Sequence, residues 1–268
     1  MNAPQLHHYD LAADVVAFST TRHGGFSTGN YGDFNINEYC GDDASAIGNN
    51  RRALAELLGI REEEIIMPHQ THGVEVRQIA PDFMALPANI RRMVLDGVDA
   101  VMTDMKGVCI GVSTADCIPV LLHDAKSGAV CAVHAGWRGT LARIVVRAVS
   151  EMRLAYGSLP SDMTAVIGPG ISLEAFEVGD EVYEQFASAN FDMDGISKRM
   201  KAANGTAEYK WHIDLTECNR RQLLQCGLPA DGIQSCGICT YGNADDFFSA
   251  RRLGTGSGRI FTAVMRHG

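Results

Sequence analysis

Apolar residues crowd the middle of the chain in short runs. Val98–Thr103, Val108–Ser113, Ile118–His123 and Ala129–His134 are separated by turn residues such as Lys106-Gly107 and Lys126-Ser127-Gly128. Runs of this length read as strands. Their close spacing predicts antiparallel neighbours, because parallel crossovers need longer connections. Val74–Ile79 sets Val74, Val76 and Ile79 against the charged Glu75 and Arg77, and Arg259–Met265 reads as a final strand. Elsewhere the period is helical. From Thr140 to Tyr156, the residues Leu141, Ile144, Val145, Ala148 and Met152 share one face. Asp42 or Asp43 is placed to cap a helix reaching about Leu58, with Gly59 as its stop. Asp180 is placed to cap a helix carrying Val182, Tyr183 and Phe186. Asp214, Glu217 and Gly227 outline another helix, with a capping box and a glycine stop. The polar stretch 190–208, with Asp192, Asp194, Gly195, Lys198, Asn204 and Gly205, reads as a surface excursion, and 19–37 as loop between extended pieces. Without a regular βαβ rhythm the expectation is an α+β fold: one domain over 1–268, a sheet core with helices packed outside.

Composition narrows the partners. The chain has 268 residues, 46% hydrophobic and 21% charged, with a net charge of −9. No basic excess is available to neutralise phosphates, so nucleic acid is not expected as a partner. The start, MNAPQLHHYD, lacks a basic segment and an apolar run, and stretches such as Ile118–Leu122 are too short to span a bilayer. A cytoplasmic protein without a membrane partner is the expectation. The eight cysteines then read as free thiols, most of them buried.

Candidate chemistry sits in three segments: Pro68-His69-Gln70-Thr71-His72-Gly73, Thr114-Ala115-Asp116-Cys117 and His134-Ala135-Gly136-Trp137-Arg138-Gly139. Each lies where a strand-like run meets a turn. Imidazole and thiolate are the donors that zinc prefers, and three protein ligands with an open fourth position define a catalytic site. Gly73, Ala115, Ala135 and Gly136 leave room beside such an ion. On spacing alone the plain alternative weighs equally: hydrogen-bonded strand-end histidines and a core cysteine. Asp116 is a candidate proton shuttle or, with more weight, the carboxylate that orients a ligand histidine. Cys236-Gly237-Ile238-Cys239 lacks a second cysteine pair, and Gly254–Gly258 lacks the lysine of a phosphate loop, so both read as structural. His69 reads as pocket wall, and Trp137 as either a stacking platform or packing.

In this order the segments resemble the YfiH family, also described as the multicopper polyphenol oxidoreductase (laccase) or peptidoglycan editing factor family. The resemblance runs from Ser19-Thr20-Thr21-Arg22-His23-Gly24-Gly25 through Asn35-Ile36-Asn37, Gly41-Asp42-Asp43, Gln70-Thr71-His72-Gly73, Ala115-Asp116-Cys117 and His134–Gly139. It continues through Gly168-Pro169-Gly170-Ile171 and Phe176–Gly179 to Phe247–Arg252. It implies two packed mixed sheets with helices outside, and a metal held by His72, Cys117 and His134. Many members carry a histidine where this chain has Tyr39, next to Cys40-Gly41.

The resemblance implies three activities. One is phosphorolysis of adenosine, inosine, guanosine or methylthioadenosine, together with adenosine deamination. Another is copper-dependent oxidation of phenols. The third is editing of peptidoglycan precursors, for which Cys117 and a histidine could act as nucleophile and base without metal. A non-enzymatic module with a structural metal is a further alternative. Nine histidines without a single His-x-His pair make a multicopper cluster hard to build, although one copper in place of zinc fits the donors. The leading expectation is a zinc-dependent purine nucleoside phosphorylase with adenosine deaminase activity. Cys117, Asp116 and His72 are its candidate catalytic residues, and Arg22, Arg138, Tyr39 and Asn35 its candidates for substrate or phosphate.

Overall fold

The computed structural model describes residues 3–202 and 208–268. In chain order the strands are β1 (Leu6–Tyr9), β2 (Val15–Thr20), β3 (Ile65–Ile66), β4 (Val76–Gln78), β5 (Ala100–Thr103), β6 (Cys109–Thr114) and β7 (Ile118–Asp124). There follow β8 (Val130–Ala135), β9 (Met163–Ile167), β10 (Glu177–Val178), β11 (Ser197–Lys201), β12 (Tyr209–Ile213), β13 (Ile233–Ser235) and β14 (Ile260–Arg266). The helices are α1 (Ala44–Leu58), α2 (Pro81–Met84), α3 (Ala88–Val94), α4 (Trp137–Leu141), α5 (Ile144–Tyr156), α6 (Asp180–Ser188), α7 (Met193–Ile196), α8 (Leu215–Cys226) and α9 (Ala250–Leu253).

Two mixed sheets face each other, in the orders β1-β2-β14-β6-β3 and β13-β9-β7-β8-β5-β4. Ala17, Ile110, Val112 and Val264 of the first pack with Val101, Leu121, Ala132 and Val166 of the second, all buried. Strands covered on both faces explain why the central runs are continuously apolar rather than alternating. The outer face of the first sheet packs on α1 through Leu54 and Ala55, and that of the second on α5 and α8 through Val145, Val149 and Leu223. The four central runs are strands, but only β7 and β8 pair as chain neighbours. β5 pairs antiparallel with β8, and β6 crosses into the other sheet beside β14 and β3. The alternating 74–79 segment shortens to β4, which pairs parallel with β5.

Helix signals hold where a side chain caps. The Asp43 carboxylate accepts from Ala46 N at 2.9 Å, and Gly59 closes α1 at φ 68°. Asp214 accepts from Glu217 N at 2.8 Å, and Gly227 ends α8 at φ 97°. The capping box is only half formed, because the Glu217 carboxylate is taken by Arg220 and Arg221. Gly179, not Asp180, occupies the cap position of α6, and Asp180 is its first helical residue. The helix expected from Thr140 to Tyr156 is two helices. Arg143 breaks it at φ 62°, where its guanidinium donates to Ala189 O, so α4 stays at the end of β8 while α5 lies along the sheet. The polar stretch after Asn190 is also more ordered than expected. It supplies α7 and β11, which joins a third sheet of order β10-β12-β11. Trp211 of β12 fixes that sheet, stacked on Tyr183 at 3.9 Å. Asn204 and Gly205 lie outside the described residues. No helix among the described residues is long and apolar enough to cross a membrane.

Candidate metal centre

His134 is the last residue but one of β8, Cys117 immediately precedes β7, and His72 sits in the loop before β4. Strand pairing brings the first two together, since Ile118 lies opposite Ala135. One ligand atom from each of His72, Cys117 and His134 falls within 4.8 Å of the others. His72 reaches the cluster because its backbone is left-handed, at φ 64°. That conformation is rare for a side-chain-bearing residue, and such residues gather at functional sites.

A buried carboxylate holds the loop. Asp99, fully buried just before β5, accepts from the backbone N–H groups of Thr71 at 3.2 Å, His72 at 3.0 Å and Gly73 at 2.7 Å. The same carboxylate accepts from His134 Nδ1 at 2.7 Å. One residue thus fixes the loop carrying His72 and turns His134 so that its Nε2 faces the cluster. Carboxylate–histidine pairing of this kind orients metal ligands. Burial alone would push Asp99 up, but the hydrogen bond and charge of His134 and the Gly73 and Thr71 amides outweigh it and hold the carboxyl below its ordinary range. Burial likewise opposes ionisation of Cys117, yet the His134 charge and hydrogen bonds from His134 and His72 pull the thiol down. His134 moves up in return: the Cys117 charge and the Asp99 hydrogen bond overcome its burial.

The donors fit a soft or borderline divalent metal: two imidazoles and an acidified thiol, with one imidazole backed by a carboxylate. Space fits too. A Cβ on Gly136 would stand 2.9 Å from Cys117 Sγ and 3.0 Å from His72 Cδ2. Gly136 itself has an extended backbone, φ −66° and ψ 172°, so it is space beside the ligands that requires glycine.

A cavity of about 260 Å³ opens over the cluster, walled by Asn37, Tyr39, His69, Gln70, Thr114 and Arg259 among others. Tyr39 stacks on His69, with centroids 4.1 Å apart, and His69 Nδ1 is paired with Asp96 at 2.6 Å. His69 is therefore wall, as expected. Desolvation, aided by Glu38, pushes the Tyr39 hydroxyl up to about 12, so it remains a hydrogen-bond donor near neutral pH.

The other sequence candidates stand apart. Arg22 donates to Gly32 O at 2.9 Å and Ala244 O at 2.7 Å and lies over Phe248, and Arg138 is exposed over the Trp137 ring at 4.2 Å. Neither lines the cavity. Asn35 is fully buried and ties together Asn37, Asp42 and the Arg259 amide. The Asp116 carboxylate touches neither histidine. It accepts from Thr240 Oγ1 at 2.7 Å and Arg251 N at 2.6 Å, bracing a turn in which Asp116 itself has φ 87°. The histidine-orienting carboxylate is Asp99. Its signal was a lone acid inside the apolar run Val98-Asp99-Ala100-Val101, since a buried charge needs partners.

A family model described as multi-copper polyphenol oxidoreductase laccase matches residues 16–267. A purine nucleoside phosphorylase of Bacteroides thetaiotaomicron is 45% identical over 255 residues, covering 95% of this chain and 93% of that protein. Adenosine deaminase RL5, from an unknown prokaryotic organism, is 42% identical over 94% of each chain. Among solved structures, YlmD of Geobacillus stearothermophilus matches with a TM-score of 0.86 at 30% identity, covering 97% of this chain and 94% of that one. YfiH of Bacillus licheniformis matches at 0.88 and 26% identity, covering 99% and 97%. With a family model spanning nearly its whole length, the chain belongs to the YfiH family of multi-copper polyphenol oxidoreductase laccase proteins.

Proposed function

We propose that this protein is a metal-dependent purine nucleoside phosphorylase that also deaminates adenosine, with zinc as its metal. The observation that carries the reading is the His72–Cys117–His134 cluster at the base of a cavity walled by Tyr39, His69 and Arg259, in a chain whose similar proteins are named for these two activities. His72, Cys117 and His134 hold the metal, which supplies a Lewis acid when bound. Asp99 keeps His134 in the tautomer that leaves Nε2 free for it. The Tyr39–His69 stack offers an aromatic face to a purine, with the Tyr39 hydroxyl held by the Glu38 carboxylate. Asp116 acts at one remove, through the turn that presents Cys117.

In phosphorolysis an oxygen of phosphate bonds to ribose C1′ as the C1′–N9 bond breaks. The bonding pair leaves with the base, which takes up a proton from phosphate. In deamination water adds at C6 and ammonia leaves. Metal-loaded protein incubated with adenosine is expected to release inosine without phosphate, and adenine with ribose 1-phosphate when phosphate is added. Formation of none of these by protein with a full complement of metal would contradict the reading.

A further inference from the structure

We propose that Arg259, together with the Thr114 hydroxyl, forms an oxyanion subsite for inorganic phosphate beside the metal cluster. The subsite is argued from geometry, and only the use of its phosphate in catalysis rests on the phosphorolysis reading.

Arg259 leads into β14, and both Arg259 and Thr114 line the cavity above His72, Cys117 and His134. Arg259 adjoins Ile260, which lies directly opposite Thr114 in the pairing of β14 with β6. The Arg259 guanidinium is held by main-chain carbonyls of the preceding turn. Nη1 donates to Ser257 O and Gly258 O, and Nη2 donates to Thr255 O at 2.9 Å. Its backbone N–H donates to the buried Asn35 side chain at 3.2 Å. The glycine-rich 254–258 turn, which has no phosphate-loop chemistry of its own, therefore serves as a cradle for one arginine.

Those contacts fix the guanidinium without neutralising it. Arg259 makes no ion pair among the described residues, and Nε donates to no protein acceptor among them. Guanidinium carries five N–H donors in a rigid fork that matches the oxygens of phosphate, and the carbonyls leave part of that fork unused. No aspartate or glutamate among the described residues lines the cavity, although the chain as a whole carries a net charge of −9. An always-charged guanidinium in a cavity without a carboxylate favours an anion beside it.

Thr114 supplies an independent sign. It is 1% exposed, and its Oγ1 is buried with no hydrogen-bond partner. Buried hydroxyls are almost always paired, so this orphan in a cavity-lining residue is completed by a ligand atom only if the atoms now covering it shift. Arg259 and Thr114 together offer donors to a compact tetrahedral anion. Arg22 and Arg138, the arginines that sequence motifs favour, are engaged outside the cavity.

The test uses the full-length, metal-loaded protein. Calorimetric titration of the wild type with inorganic phosphate is expected to show saturable binding. Arg259→Gln should weaken it about tenfold to a hundredfold, the range for a charged hydrogen bond. Arg259→Lys should recover part of the loss, because it keeps the charge without the fork. Arg259 also holds its turn, so Thr114→Val provides a second arm. It removes an unpartnered hydroxyl at constant volume and should weaken phosphate by roughly threefold to tenfold. In turnover of adenosine at subsaturating phosphate, both Arg259→Gln and Thr114→Val should lower the ratio of ribose 1-phosphate to inosine. Adenosine 5′-monophosphate, titrated in parallel, separates free phosphate from the phosphate of a nucleotide. Equal phosphate binding by wild type and both variants would overturn the proposal, as would binding of the nucleotide with none of inorganic phosphate. Phosphate binding that depends on Arg259 but yields no ribose 1-phosphate would leave the subsite standing and remove the phosphorolysis reading.

Discussion

At the scale of single residues, the cluster was legible because its members lie in short motifs that carry a family resemblance. Spacing alone left His72, Cys117 and His134 balanced against a structural role. What supports them was less legible. Asp99 contacts four donors from two distant segments, and no local pattern announces such a hub. Asp99→Asn replaces one acceptor oxygen with a donor amide among those N–H groups. It should lower metal affinity about tenfold to a hundredfold in a chelator competition; an unchanged affinity would mean that the histidines orient without it. Gly136 makes a different prediction. Its backbone accepts any residue, but an added Cβ meets both Cys117 and His72. Gly136→Ala should therefore impair metal binding while leaving the circular dichroism spectrum as it is. Loss of secondary structure instead would show that the glycine serves the fold.

At the scale of elements, strand positions were well marked by apolar runs, and helix ends by Asp43, Gly59, Asp214 and Gly227, whose roles are local. Pairing was not local. β6 leaves its chain neighbours for the other sheet, and the Arg143 break in the 140–156 helix depends on an acceptor at Ala189, far along the chain. Turns between paired strands also carry charge effects. Asp124 ends β7 and accepts from Ser127 Oγ at 2.6 Å and Lys126 N at 2.9 Å. Burial raises its carboxyl, but the hydrogen bonds of Ser127 and Ser158 and the Lys126 and Ser127 amides more than reverse this and lower it. A carboxyl lowered in the folded state contributes stability above its unfolded pKa, and that contribution is lost as pH falls through the folded value. Asp124→Asn should thus destabilise the protein near pH 7, with the gap to wild type narrowing below about pH 4. A gap in denaturant midpoint that stays constant down to pH 3 would contradict this assignment.

At the scale of the whole molecule, two mixed sheets with helices outside followed from the family resemblance and from the absence of a βαβ rhythm. The third sheet did not, because β11 lies in a stretch that reads as polar surface; it is ordered by pairing with β12, whose Trp211 stacks on Tyr183. The two-sheet core has a direct consequence for chemistry. The ends of β6 and β8, the turn before β7 and the loop before β4 meet at one edge of the two sheets. Three candidate ligands distant in sequence become one cluster with a cavity above it. The most direct test of this account is the metal content of purified protein after zinc loading and removal of excess, for wild type and Cys117→Ala. The account predicts about one zinc per chain in the wild type, as three protein ligands with an open position require, and a large loss in the variant. A wild type that retains no zinc, or a Cys117→Ala protein that retains a full equivalent, would contradict it.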